Sequence, residues 1–183
     1  MTFRIAAALR RRSRREAVNS AYRAIVARAR EPWFFAAWGV PDTLDGRFEV
    51  LALHAFFVLN RLKRERSATA EFAQDLFDTM FADLDRAVRE MGATDIGVGR
   101  HVKAMARGFY GRIAAYEAGL AGNDAVLAEA LARNLYGTAR PTEAQLARAA
   151  SYVRREAGAL GGAPTETLLA GAVPWAALPE AGT

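Results

Sequence analysis

The 183-residue sequence contains no cysteine and only two histidines. The absence of cysteine excludes a disulfide framework, a thiolate zinc site, an iron–sulfur cluster and a cysteine nucleophile. His54 and His101 fall on separate predicted helices and lack the spacing of paired metal ligands on one helix. None of the four serines lies in a nucleophile-elbow motif. Nucleophilic catalysis and a histidine metal site therefore have no support in the sequence, and we expect His54 to be a core residue.

The sequence also lacks an apolar run long enough to cross a bilayer. Residues 50–59 form the longest run, which His54 interrupts and which falls short of the ~20 residues that a transmembrane helix needs. Hydrophobic residues make up 52% of the chain and charged residues 25%, which is typical of a soluble globular domain. We expect one domain that would act on a membrane only from its surface.

Acidic residues are missing from the start of the chain, which concentrates positive charge there. The formal net charge is +5, but six arginines precede Glu16, the first acidic residue. Residues 1–30 contain nine arginines against Glu16, and the remainder contains 16 basic against 19 acidic residues. We interpret residues 1–15 as a basic arm. It could contact anionic lipid headgroups or RNA phosphates, target the protein to an organelle, or be a solvated terminus.

Hydrophobic periodicity predicts helices from about residue 16 to about residue 160, with no segment of strand-like alternation. Asp42, Asn123 or Asp124, and Thr142 with Gln145 are predicted to cap helix N-termini. The second helix is apolar nearly all round, which is typical of a central helix in a bundle. We predict an all-α fold, an irregular bundle of about six helices. Residues 16–170 form one domain and residues 171–183 a tail; the helices cover about 16–30, 42–66, 67–91, 98–120, 123–137 and 142–160.

Two charged stripes and an aromatic segment are the features with potential function. Aspartates share one face of the third helix, and basic residues recur at the same spacing on the fourth: Asp75, Asp78 and Asp85, then Arg100, Lys103 and Arg107. Ion pairing between the two helices, or two solvated faces, is the simpler interpretation, and Mg²⁺ binding by the aspartates is the alternative. Seven of the 18 aromatic residues lie within residues 33–57. Most are assigned to the core, but an exposed remainder would be typical of a protein- or lipid-binding site.

Several blocks of sequence, taken in order, resemble the ubiquinol–cytochrome c chaperone family. The first reads Gly39-Val40-Pro41-Asp42-Thr43-x-x-Gly46-Arg47-Phe48 and is followed by His54 and Arg61-Leu62. The second reads Gln74-x-Leu76-Phe77-Asp78-x-Met80-Phe81-x-Asp83-x-Asp85 and continues to Arg89-Glu90-Met91-Gly92. The third reads Asp95-x-x-Val98-Gly99, then Met105 and Phe109-Tyr110-Gly111-Arg112-x-x-x-Tyr116. The resemblance covers roughly residues 17–137.

This resemblance implies a complex III assembly factor rather than an enzyme, and we expect no cofactor. Mitochondrial members of the family bind newly made cytochrome b, together with a small partner protein at the ribosomal exit, and hold it for assembly. The compact sequence is similar to a bacterial member. Such a member would receive cytochrome b at the cytoplasmic face of the inner membrane, and a eukaryotic one would do so on the matrix side. The alternative is an arginine-rich helical module that binds ribosomal RNA or an anionic membrane surface.

The residues expected to contact a client come from the aromatic segment and from the resembling blocks. We expect three aromatic residues to contact the client: Phe35, Trp38 and Phe81. We expect three charged residues to shape or rim that surface: Asp42, Arg47 and Arg112. The charged face of the third helix would supply further polar anchors: Asp78, Asp85 and Arg89.

Overall fold

A computed structural model describes residues 2–90, 95–137 and 139–178, and these residues form helices and connecting segments without a strand. The all-α prediction is confirmed, with six long helices near the predicted positions and two short ones. The helices are α1 (Thr2–Ala29), α2 (Trp33–Ala36), α3 (Leu44–Lys63), α4 (Arg66–Glu90), α5 (Asp95–Ala121), α6 (Asp124–Asn134), α7 (Glu143–Gly161) and α8 (Thr165–Leu169). Met91 and Gly92 of the second resembling block lie outside the described residues, as do the side chains of residues 95–103.

The helix α3 is the centre of the bundle. It packs against α1, α4, α5, α7 and α8. Its buried side chains point in every direction around the helix axis and include Val50, Leu53, Phe57 and Leu62. A helix that is apolar nearly all round can satisfy that pattern only in the interior, as the sequence predicts.

The first helix begins 14 residues before its predicted start. The basic residues 2–15 continue α1 without a break, because alanine and arginine are both strong helix formers. Arg14 reaches α4, where it forms ion pairs with Glu71 and with Asp75, the latter at 2.7 Å from Nε to Oδ2. Asp75 is therefore paired with α1, whereas pairing with α5 was one of the two predicted arrangements; the side chains of Arg100 and Lys103 on α5 lie outside the described residues. The acidic face of α4 attracts the nearest basic helix, and that helix is α1.

The predicted N-terminal caps are confirmed at two helices and wrong at one. Asn123 caps α6, and Thr142 forms a capping box with Gln145 at the start of α7. At α3 the cap is Thr43, whose hydroxyl oxygen accepts a hydrogen bond from the backbone N–H of Gly46 at 3.1 Å. Asp42 does not cap α3 because its carboxylate is paired with Arg47.

The segment 171–178 packs across α1 and α7. Gly171 has φ of 85°, and a Cβ there would lie 2.4 Å from the carbonyl oxygen of Ala17, so only glycine allows this close approach to α1. The Trp175 indole donates to the carbonyl of Ala24 at 3.3 Å, and the Ala176 N–H donates to Glu156 Oε2 at 3.1 Å. Side-chain hydrogen bonds thus hold the start of the predicted tail against the bundle.

His54 lies at the centre of a buried polar network, and its prediction as a core residue is confirmed. The Arg28 Nε donates to the Tyr152 hydroxyl oxygen at 3.0 Å. The Tyr152 hydroxyl lies 2.8 Å from His54 Nε2, and His54 Nδ1 lies 2.7 Å from the carbonyl oxygen of Val50. Because a carbonyl can only accept, we assign the ring proton to Nδ1, and Nε2 accepts from Tyr152. Burial lowers the pKa of His54 to about 3, so the ring is neutral in the fold.

Because His54 is buried and neutral, we expect the fold to lose stability in mild acid. An unfolded histidine titrates near pH 6.5, so between that pH and about 3 the unfolded chain binds a proton that the folded chain does not. The free energy of unfolding should fall by up to about 1.4 kcal/mol for each pH unit below about 6.5. Urea unfolding at neutral pH and at two mildly acidic values measures the slope. His54→Gln should flatten it, and an unchanged slope would assign the acid sensitivity to other groups.

Candidate functional site

A groove of about 570 Å³ lies between the start of α3, the middle of α5 and the turn after α6. We call it the α3 groove. Its apolar lining residues include the partly exposed Met105 and three buried side chains behind it: Phe48, Leu135 and Tyr136. Tyr136 is fixed in the wall because its hydroxyl donates to the backbone carbonyl of Trp38 at 3.1 Å. Two helices and a turn that are distant in sequence thus form one concave surface with apolar residues in its lining.

An ion pair crosses the α3 groove from α3 to α5. Arg112 donates two hydrogen bonds to the carboxylate of Glu49, one of them at 2.5 Å from Nε to Oε2. Both side chains are largely buried, and the guanidinium lies 5.4 Å from the centre of the Phe48 ring. Burial raises the pKa of Glu49, and repulsion from nearby Asp45 acts in the same direction, while Arg112 opposes both. The hydrogen bonds to Glu49 raise the pKa of Arg112, and the two bonds together hold both side chains in place.

A second charged pair lies beside the groove, on the connection into α3. Arg47 donates to Asp42 through Nε at 2.6 Å and through Nη2 at 3.2 Å. The guanidinium of Arg47 also lies 5.5 Å from the centre of the half-buried Phe35 ring. The structure therefore brings Phe35, Asp42 and Arg47 together. None of the three lines the α3 groove, but Asp42 and Arg47 are next in the sequence to residues that do. Arg112, which was predicted to lie on the same surface, belongs to the groove itself.

Trp38 lies beneath this surface, in the core. Its ring is fully buried against Trp33, Phe34 and Tyr152, with ring centres 5.0–5.2 Å apart. The indole therefore presents no surface to another molecule in this structure. A contact between Trp38 and a client stays a prediction and would require the aromatic cluster to open.

The other predicted contact residues lie on α4. Phe81 is buried and packs against Phe77 and Phe109, with ring centres 4.6 and 6.0 Å apart. Asp85 pairs with Arg89 one turn later at 2.7 Å, and Asp78 accepts a hydrogen bond from Gln74. These residues form a separate, charged face of α4. Among the described residues, no three carboxylate or imidazole groups are close enough together to share a metal ion.

The sequence of the folded region, including the groove, matches one protein family. The family model described as "Ubiquinol-cytochrome C chaperone" matches residues 36–175, which is more than half of the chain. The chain belongs to the ubiquinol-cytochrome C chaperone family. The match extends well beyond Gly137, where the resemblance in the sequence ended, and includes α7 and α8.

Proteins similar to this chain include animal assembly factors and a bacterial protein of known structure. Ubiquinol-cytochrome-c reductase complex assembly factor 1 of Xenopus laevis is 31% identical over 148 residues, which cover 80% of this chain and 74% of that protein. The mouse protein of that name is 29% identical over 148 residues, and the chain spans about half of its length (50%). The crystal structure of the Cbp3 homolog from Brucella abortus is 35% identical and superposes with a TM-score of 0.84 over 97% of both chains. These likenesses give no support to the alternative of an RNA- or lipid-binding module.

The part of the chain that the structure describes contains no helix long and apolar enough to cross a membrane. Exposed arginines on α1, among them Arg10, Arg11 and Arg15, give its first half a basic surface.

Proposed function

We propose that this chain is an assembly chaperone for ubiquinol–cytochrome c reductase and that its client is newly made cytochrome b. The observation that carries the proposal is the family match over residues 36–175, which includes the α3 groove and the Asp42–Arg47 pair. The relatives named for assembly of that complex support it. The chain acts by binding and releasing its client and needs no catalytic group or cofactor for that work.

The α3 groove supports client binding on physical grounds. A chaperone for a membrane subunit must cover apolar surface that water would otherwise contact, and a concave apolar floor with a polar rim does so. We assign client contacts to Phe35, Asp42, Arg47 and Arg112 at the groove. Trp38 supports this surface from beneath. The α4 face with Phe81, Asp78, Asp85 and Arg89 is the second contact surface.

The place of action follows from the client. A newly made membrane protein is met at the membrane face where it is synthesised, which is the cytoplasmic face in a bacterium and the matrix face in a mitochondrion. The chaperone works there as a peripheral protein, with the basic first half of α1 towards the anionic lipid surface or the ribosome. A small partner subunit is a further component of this proposal.

Deletion of the gene in the source organism tests the proposal. We expect cytochrome b and assembled ubiquinol–cytochrome c reductase, measured by blotting after native electrophoresis, to decrease strongly. The amount of succinate dehydrogenase serves as the control and should not change. The intact chain supplied on a plasmid should restore both cytochrome b and the complex. Normal assembled complex in the deletion strain would overturn the proposed function.

A further inference from the structure

The α3 groove has a size and a wall composition that fit a short peptide segment. Its volume of about 570 Å³ is in the usual range for sites that enclose a few side chains. Met105 contributes an unbranched, adaptable wall, which can pack against apolar residues of different shapes. A complete transmembrane helix of ~20 residues is about 30 Å long and is too large for such a groove. The occupant is therefore a short apolar stretch of a longer chain.

The charges of the groove determine which charge its occupant should carry. Asp45 and Glu49 carry two negative charges, and Arg112 carries one positive charge. Arg112 is engaged with both Glu49 oxygens and lies over the Phe48 ring, so it has little capacity left for another carboxylate. The carboxylate of Asp45 is exposed and has no ion-pair partner among the described residues. The described side chains that line the groove thus carry one surplus negative charge, beside its apolar lining residues.

The chain that follows α1 also has a net negative charge. From residue 31 onward the chain has 16 basic and 19 acidic residues. An acidic segment would meet repulsion from Asp45 and from the body as a whole, whereas a lysine or arginine beside an apolar stretch would pair with Asp45. Membrane proteins carry that combination where an apolar helix ends on the side of protein synthesis, because the loops on that side are enriched in lysine and arginine.

From these observations we infer that the α3 groove binds a juxtamembrane segment of the client, an apolar helix end followed by a lysine or arginine that pairs with Asp45. The inference rests on the proposed function, because it is the membrane-protein client that makes such segments available. It assigns Asp45 as a specificity-determining residue and assigns the apolar contact to Met105, Pro41 and Ala104, the apolar lining residues that are at least partly exposed.

Labelled synthetic peptides and the full-length protein test the inference. The first peptide has a run of eight leucine and phenylalanine residues with arginines at both ends. The second has glutamates in place of the arginines. The third keeps the arginines and has serines in place of the apolar run. Fluorescence anisotropy at fixed ionic strength should show that the first binds at least about tenfold more tightly than either of the others. Equal affinity for the arginine and glutamate peptides would overturn the inference.

Variants connect this discrimination to the groove. Asp45→Lys should weaken binding of the apolar arginine peptide by about tenfold or more and strengthen binding of the glutamate peptide. Glu166→Lys is the matched control, since Glu166 is likewise an exposed acidic residue in the first turn of a helix, α8. Met105→Gln should weaken binding of both apolar peptides while their order is kept. Thermal melting confirms that each variant is folded, and Asp45→Asn replaces the lysine variant if that one is unstable.

The outcomes separate the inference from the proposed function. Unchanged peptide affinities in Asp45→Lys and Asp45→Asn would overturn the inference, even if the deletion strain lacked the assembled complex. Normal assembly in the deletion strain would overturn the proposed function, even if the peptides bound in the groove.

Discussion

Replacing Glu156 with alanine is expected to lower the free energy of unfolding by about 3–5 kcal/mol. Glu156 is completely buried on α7, where one carboxylate oxygen accepts from Arg28 at 2.6 Å and the other accepts from the Ala176 N–H. The substitution leaves the largely buried guanidinium of Arg28 without its counter-charge and frees the segment 171–178. An uncompensated buried charge is among the most destabilising single changes in a protein.

Urea unfolding followed by circular dichroism measures this effect. Glu129→Ala is the matched control, because Glu129 is exposed on α6 and its contact with Arg133 is long, at 3.7 Å. The control should change the free energy of unfolding by less than about 0.5 kcal/mol. The double variant Arg28→Met with Glu156→Leu should recover part of the loss, since it removes both charges and keeps apolar volume. A Glu156→Ala variant as stable as Glu129→Ala would show that the pair does not hold the fold.

Local sequence patterns were sufficient to predict the six long helices, apart from the start of α1. The apolar stripe of α4 and the capping box at Thr142 depend on neighbours within one or two turns, which a single sequence displays. The start of α1 was missed because the arginine-rich segment has no apolar stripe, and its helix is supported by ion pairs from Arg14 to α4. That support comes from residues 57 and 61 positions away, so no local pattern reports it.

The candidate site was predictable only in part, for the same reason. The charged residues beside the groove, Asp42 and Arg47, are close in sequence and were both proposed from the resembling blocks. Glu49 was not proposed, although a single carboxylate within the apolar run of a central helix is unusual and could have identified a buried partner. Its partner Arg112 lies 63 residues away, on another helix. Trp38 and Phe35 are three residues apart, and only tertiary packing decides that the first is enclosed and the second half-exposed.

Because the two aromatic residues differ in burial, we expect their substitutions to lower the free energy of unfolding by very different amounts. Trp38→Ala should lower the free energy of unfolding by about 3–5 kcal/mol, because it removes a fully buried ring that contacts three other aromatic side chains. Phe35→Ala removes a ring that is already partly in water and should cost about 1 kcal/mol. The two substitutions thus separate a role in the fold from a role at the surface.

Client binding is measured as the amount of cytochrome b that copurifies with each tagged variant from cells. Phe35→Ala should reduce copurification severalfold while its unfolding midpoint stays near that of the parent chain, because the ring is partly exposed and lies beside Arg47. Val126→Ala, which trims an exposed apolar side chain on α6, is the control and should leave copurification unchanged. Trp38→Ala should lose copurification only in proportion to the loss of folded protein. Unchanged capture by folded Phe35→Ala would remove Phe35 from the contact surface, and a loss of capture by folded Trp38→Ala would mean that the aromatic cluster opens to receive the client.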